Sequence, residues 1–363
     1  MAWWHIPVYL LDLGAMIYLS FVLGDIVDAL DKKTKISGAF IGGVLLAAVT
    51  SLPELFTALS SVFFVNEPEY VVGDILGSII FDLVLLAVET FMFVKNFRNA
   101  KLQKFHFING LICFAMYALA AYAFFAPRNA QVMLGDINLM SILIFALYIL
   151  SLVIQPKEKE DEAEEGEEAL GEAAGESVEK GIASWSVAKI WIVFVLASVA
   201  LIASSIALTY LTKLLQNDFP ILTGSVTGAL LLGIGTSIPE LISTFTLFRK
   251  KNYDAGFGNM IGSCTFDWAI FAVADFLTWH QWNGQVDANG EAIISQRGLF
   301  IVSADAAQFA IYGLIVAASF VGFVALKSFT KFFESEKAKP FAYTVTGIWA
   351  AACVAMYLII FIL

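Results

Sequence analysis

One phrase is written twice in this chain, and each copy places a Pro-Glu pair inside an apolar segment. Residues 37–55 read SGAFIGGVLLAAVTSLPEL and residues 223–241 read TGSVTGALLLGIGTSIPEL. They align without a gap at an offset of 186 residues, with nine of nineteen positions identical. An internal repeat constrains architecture before any local propensity does. A carboxylate within a segment long enough to span a bilayer is costly, and it marks a functional position by default.

The apolar context is general. Hydrophobic residues make up 59% of the 363 and charged residues 15%, against about 45–50% and about 25% in soluble domains. Apolar runs of about 20 residues recur throughout, which predicts a polytopic helical membrane protein. The alternating segments of a membrane β-barrel are not evident. The net charge of −11 is concentrated: eleven acidic residues fall between Glu158 and Glu179. No basic patch points to nucleic acid. Cys113, Cys264 and Cys353 read as small core residues, not as a disulfide framework or metal cluster.

Ten spans are expected, near 6–29, 38–64, 70–94, 104–125, 131–154, 185–212, 219–248, 255–279, 302–326 and 341–363, the first as a retained helix and not a signal peptide. Of the twenty-one Lys and Arg residues, eighteen fall in the loops after spans one, three, five, seven and nine. The opposite side keeps Arg128, Lys213 and Arg297. The positive-inside rule then places both termini outside. Spans two and seven, which carry the repeated phrase, run in opposite directions. The expected fold is all-α, with ten transmembrane helices in two inverted five-helix repeats. The first occupies 1–155 (motif core 37–82) and the second 185–363 (motif core 223–267). An acidic cytoplasmic linker, 156–184, joins them. The linker reads as disordered or loosely helical. A cation-sensing or autoregulatory role is the other reading, although no EF-hand spacing supports it.

Within span two, Thr50, Ser51 and Glu54 fall on one helix face. Pro53 removes a ladder hydrogen bond beside them, which is expected to free carbonyls near Ala47 and Val49. Thr236, Ser237, Pro239 and Glu240 repeat the pattern, with Gly233 and Gly235 loosening the helix. A second phrase follows in each half: Gly73 to Asp82 reads GDILGSIIFD and Gly258 to Asp267 reads GNMIGSCTFD. Ser78 and Asp82 share a face, as do Ser263 and Asp267. Glu54, Asp82, Glu240 and Asp267 ringed by hydroxyls form an all-oxygen set suited to Na⁺, Ca²⁺ or Mg²⁺, not to zinc or copper. Four carboxylates brought together repel, so such a site is buried only when protons or cations compensate it. Asp74 either lines an ion entry route or sits near the interface. Glu89 and Asp275 extend the two stripes without acidic counterparts. Asp12, Asp25 and Asp305 read as interhelical or interfacial hydrogen-bonding groups.

These phrases resemble the repeats of the cation/calcium exchanger superfamily, the sodium/calcium exchangers in particular. The motifs are specific over 37–82 and 223–267. The resemblance implies two pseudo-symmetric five-helix halves and an antiporter that exchanges Ca²⁺ for Na⁺ by alternating access, with no cofactor and no catalytic residue. It implies that Glu54 and Glu240 bind Ca²⁺ together with oxygens of Thr50 and Thr236. It further implies that Ser51, Ser78, Ser237, Ser263, Asp82 and Asp267 complete the Na⁺ sites, with the carbonyls of Ala47 and Gly233 as further ligands. In familiar members one of the positions matching Asp82 and Asp267 is usually an amide; here both are acids. The Gly that usually precedes Thr-Ser survives as Gly235 but is Val49 in the first phrase. A Ca²⁺/H⁺ or other divalent-cation/H⁺ antiporter of the same fold is the alternative, which the extra acid favours and the intact Thr-Ser pairs oppose. A cation channel and an intramembrane aspartyl protease are remote readings. The compact form suggests a prokaryotic cell membrane.

Overall fold

The computed structural model describes residues 4–33, 50–100, 102, 104–126, 132–134, 137–154, 185–219, 224–249, 251, 253–282, 298–301, 305–330, 333 and 339–360. The chain is mostly helical. In the first half α1 (His5–Lys33) precedes α2 (Leu52–Ser60), which continues through a π-helical turn, Ser61–Val65. Then come α3 (Pro68–Met92), α4 (Lys104–Phe125) and α5 (Leu139–Val153). The second half opens with α6 (Val187–Asp218). A helical turn, Gly224–Thr227, a π-helical stretch, Gly228–Gly233, and a further turn, Ile234–Thr236, lead into α7 (Ile238–Arg249). The chain continues as α8 (Tyr253–Trp282), α9 (Asp305–Phe329) and α10 (Lys339–Ile360). Among the described residues, seven helices are long and apolar enough to cross a membrane. Shorter apolar stretches cover His5–Leu19, Leu52–Val65 and Leu139–Val153.

Contacts between helices come in matched pairs when the halves are exchanged. α1 packs along α6, where His5 meets Asp218 at 2.7 Å, Asp12 meets Ser204 at 2.7 Å, and Ile26 lies against Ile190. The descending and ascending numbers show that the two run antiparallel. α4 packs antiparallel to α9 in the same way, Gly110 against Phe320 and Gly313 against Tyr117. α3 lies antiparallel to α10, Phe81 meeting Tyr357 and Phe91 meeting Gly347. Its mirror is α8 with α5, where Ser141 meets Asp275 and Tyr148 meets Phe266.

The outer faces of α1 and α6 expose Leu10, Leu11, Ile192, Leu196 and Val199. Apolar side chains facing outward suit a hydrocarbon surround. By contrast α3 is buried along almost its whole length. It is held there by backbone approach. A Cβ on Gly228 would come within 2.6 Å of the Tyr70 carbonyl, and one on Gly77 within 2.8 Å of Ala229. Small residues let apolar helices close on each other where side chains would hold them apart. Gly77 thereby meets the broken helix of the other half.

One sequence expectation changes here. Span five was expected over 131–154, but the helix begins at Leu139, after a short antiparallel pair β1 (Met133–Leu134) and β2 (Ile137–Asn138). The Asn138 side chain accepts the Met140 N–H at 2.9 Å and caps the helix start. Fifteen residues rise only about 22 Å. All three cysteines are free and buried, as core residues should be. The acidic linker, Ala47, Val49 and the side chains of Asp25 and Asp305 lie outside the described residues.

Candidate functional site

The two breaks that create the site fall before the prolines. Ser51 caps α2 with φ −92° and ψ 11°, and Pro53 sits within the first turn, where its missing N–H would have had no intrahelical partner. Leu55 N still donates to Ser51 O at 3.2 Å. In the second half Ser237, with φ −83° and ψ 0°, separates the Ile234–Thr236 turn from α7. Leu241 N likewise donates to Ser237 O at 3.1 Å. Each serine therefore sits at the discontinuity itself. The Gly233 carbonyl is shared by two long bonds, from Ser237 N at 3.3 Å and from the Ser78 hydroxyl at 3.2 Å.

Thr50, Ser51, Glu54, Ser78, Asp82, Thr236, Ser237, Glu240, Ser263 and Asp267 are all buried. They come from five segments and converge across the halves. Glu240 Oε1 accepts from Ser51 Oγ at 3.2 Å and from Ser263 Oγ at 3.4 Å, and Thr50 adds a third hydroxyl. Ser51 and Ser263 lie 2.9 Å apart. Glu54 lies in Coulombic range of Glu240 and Asp267, and Asp82 in range of the same two.

Much of this oxygen is unspent. Glu54 Oε2, Glu240 Oε2, both carboxyl oxygens of Asp82 and of Asp267, and Ser237 Oγ are buried without a hydrogen-bond partner among the described residues. A buried carboxylate oxygen with nothing to accept from is destabilising by several kcal/mol, roughly. Such a cluster suits a cation that arrives from outside the protein. Among the described residues no three His, Cys, Asp or Glu side chains stand close enough to hold an ion by themselves. Coordination here would draw on the hydroxyls and on the carbonyls at the breaks.

Asp74 is fully buried. Its Oδ2 accepts from Thr57 Oγ1 at 2.5 Å, and Oδ1 lies 3.4 Å from Thr236 Oγ1 of the other half. Thr236 Oγ1 also reaches Leu232 O at 3.0 Å. The matching Asn259 donates to Ser243 Oγ at 2.9 Å and Thr244 Oγ1 at 3.2 Å. Thr57 and Ser243 were not among the residues expected at the site. The signal was present: both carry a hydroxyl three residues after the repeated Glu, at the same 186-residue offset. Tyr9 on α1 donates to Leu231 O in the π-helical stretch and ties the outer helix pair to the second break. Asp275 accepts from Ser141 Oγ at 2.5 Å and Leu299 N at 2.6 Å, away from the site.

The sequence profile of the family described as "Sodium/calcium exchanger protein" matches residues 4–156 and 189–363. The chain belongs to that family. It is therefore a multi-pass integral membrane exchanger. No curated protein matches this exchanger by sequence. Solved structures share its fold, three of them as follows. The H⁺/Ca²⁺ exchanger CAX is 13% identical with a TM-score of 0.60, covering 98% of this chain and 88% of its own. The native YfkE structure is 17% identical with a TM-score of 0.59, covering 98% and 92%. The sodium-calcium exchanger NCX_Mj of Methanococcus jannaschii is 16% identical with a TM-score of 0.51, covering 99% and 98%. At these identities the likeness concerns the fold alone.

Proposed function

We propose that this exchanger moves Ca²⁺ against Na⁺ by alternating access through a site built from Glu54, Glu240, Asp82 and Asp267. Thr50, Thr236, Ser51, Ser237, Ser78 and Ser263 supply hydroxyl ligands, and the Gly233 and Ala47 carbonyls complete the set. The observation that carries this reading is the meeting of both helix breaks at one buried group of carboxylate oxygens, most of them unpartnered. An all-oxygen set with several carboxylates favours Ca²⁺ over softer metals. The Thr-Ser pair at each break offers neutral oxygens that suit Na⁺.

The architecture we infer is ten spans in two inverted repeats, 1–155 and 185–363. The termini lie outside, and the 156–184 linker faces the cytoplasm of a prokaryotic cell. The antiparallel pairing of α1 with α6 and α4 with α9 supports it, since a two-fold axis in the membrane plane reverses each helix relative to its repeat mate. Sites at such a repeat interface lie near the midplane and alternate between the two sides. Charge sets the coupling. Four carboxylates in a low-dielectric interior cannot cross between states uncompensated, so reorientation waits for a bound ion.

Purified protein in vesicles tests the reading directly. Ca²⁺ should accumulate inside vesicles loaded with Na⁺ and diluted into Na⁺-free medium. Accumulation that follows a pH gradient and ignores Na⁺ would move the protein to Ca²⁺/H⁺ exchange. No Ca²⁺ movement under either gradient would remove the antiporter reading.

A further inference from the structure

Two acids extend the motif stripes, Glu89 seven residues after Asp82 on α3 and Asp275 eight after Asp267 on α8. They are used differently. Asp275 fastens α5 and the Leu299 backbone to α8 through two short hydrogen bonds. Glu89 is 2% exposed, and both of its carboxyl oxygens are buried without a partner among the described residues. A lone acid in such a place adds no stability to the fold. Burial there does not require an acid, because the repeat-related position is the equally buried Ala274.

Glu89 stands on the same face of α3 as Asp82, about 10 Å further along the axis. Asp82 and Glu89 are within Coulombic range of each other, and neither Asp82 oxygen has a partner. One turn beyond Glu89, Phe93 packs edge-on against Phe245 and Phe248. α3 has ended at Met92, and the chain leads on to Lys95 and Arg98, on the side rich in basic residues.

We propose that Glu89 is a relay site for the transported Ca²⁺ between the site at Asp82 and the basic-rich face of the membrane. The proposal rests on the exchanger reading above. A relay binds strongly enough to admit an ion and weakly enough to release it, which a single carboxylate assisted by water can do.

The test uses the full chain in vesicles, with Glu89→Gln and with Glu89→Ala, which copies the second half. Both variants should keep the wild-type melting temperature in detergent or raise it. Equilibrium ⁴⁵Ca²⁺ binding should be unchanged, while the initial rate of Ca²⁺ exchange falls roughly tenfold and Glu89→Asp recovers part of it. Wild-type rates in both variants would overturn the relay and leave the exchanger reading intact. A lowered melting temperature in both would make Glu89 a structural acid, and a parallel loss of equilibrium binding would make it part of the main site; either result overturns the relay. Absence of exchange in the wild type would instead remove the reading on which the relay rests.

Discussion

Glu54 and Glu240 occupy the same position in the two halves, yet their surroundings differ. Glu240 is collared by the hydroxyls of Thr50, Ser51 and Ser263, all reaching it from outside its own helix. Glu54 keeps a buried oxygen with no partner, and the nearby Thr57 hydroxyl turns to Asp74 and not to the Glu54 side chain. The inequality recurs at Ser51 and Ser237: Ser51 bonds to Glu240 and Ser263, while Ser237 has only Asp82 beside it. Two copies of one motif therefore have different surroundings in the same conformation. In this state the second half's glutamate is held and the first half's is available.

The largest expected effect removes the acids. Glu54→Ala and Glu240→Ala should each abolish Ca²⁺ flux in vesicles, and residual flux in either would break the site assignment. Their stabilities should diverge. Losing Glu240 strands buried hydroxyls at about 1–3 kcal/mol, whereas losing Glu54 removes an unsatisfied group. Melting in detergent should rank Glu240→Ala well below Glu54→Ala; equal midpoints would erase the comparison.

A smaller effect concerns the serines. Ser51→Ala should weaken equilibrium Ca²⁺ binding and lower stability by about 1 kcal/mol, because it disconnects Glu240 and Ser263 at once. Ser237→Ala should lower stability by less, because Ser237 meets only Asp82, and its main effect should appear in ion dependence. Matching losses of stability would show that the asymmetry does not belong to the state that dominates in solution.

The smallest effect is at a glycine. Gly233 matches Ala47 in the repeat, and a Cβ there would sit 3.0 Å from both Asp74 O and Ser78 N. Gly233→Ala makes the halves alike and should cost about 1 kcal/mol in melting experiments through strain against α3. An unchanged midpoint would mean that the close approach of α3 does not depend on this glycine.

The motif residues were legible because they recur at fixed offsets. Thr-Ser-x-Pro-Glu and Gly-x-x-x-Gly-Ser-x-x-Phe-Asp each appear twice, and chance does not repeat a costly acid in its context. Partner choice was not legible. Ser51 meets Glu240 across 189 residues and Ser263 across 212, and no periodicity encodes such a pairing. The start of α5 was misjudged because the residues preceding it are apolar as well; Asn138 decides the boundary by capping, a local event hidden in a hydrophobic run. Asp74 was left between two readings because its burial depends on Thr57 and Thr236 closing over it.

By itself the sequence determined that this chain is a membrane protein with a duplicated core, that its acids and hydroxyls sit in phase on helix faces, and that it carries the exchanger signatures. Those properties follow from composition, helical period and repetition, which are written along the chain. Only the tertiary structure decided that the breaks fall at Ser51 and Ser237, that Glu240 and not Glu54 receives the hydroxyls, and that Asp275 is satisfied while Glu89 is not. Each of these depends on which side chains from distant segments arrive within about 3 Å of one another. Helix packing sets that distance, and it rests on small residues such as Gly77, Gly228 and Gly233 letting backbones approach.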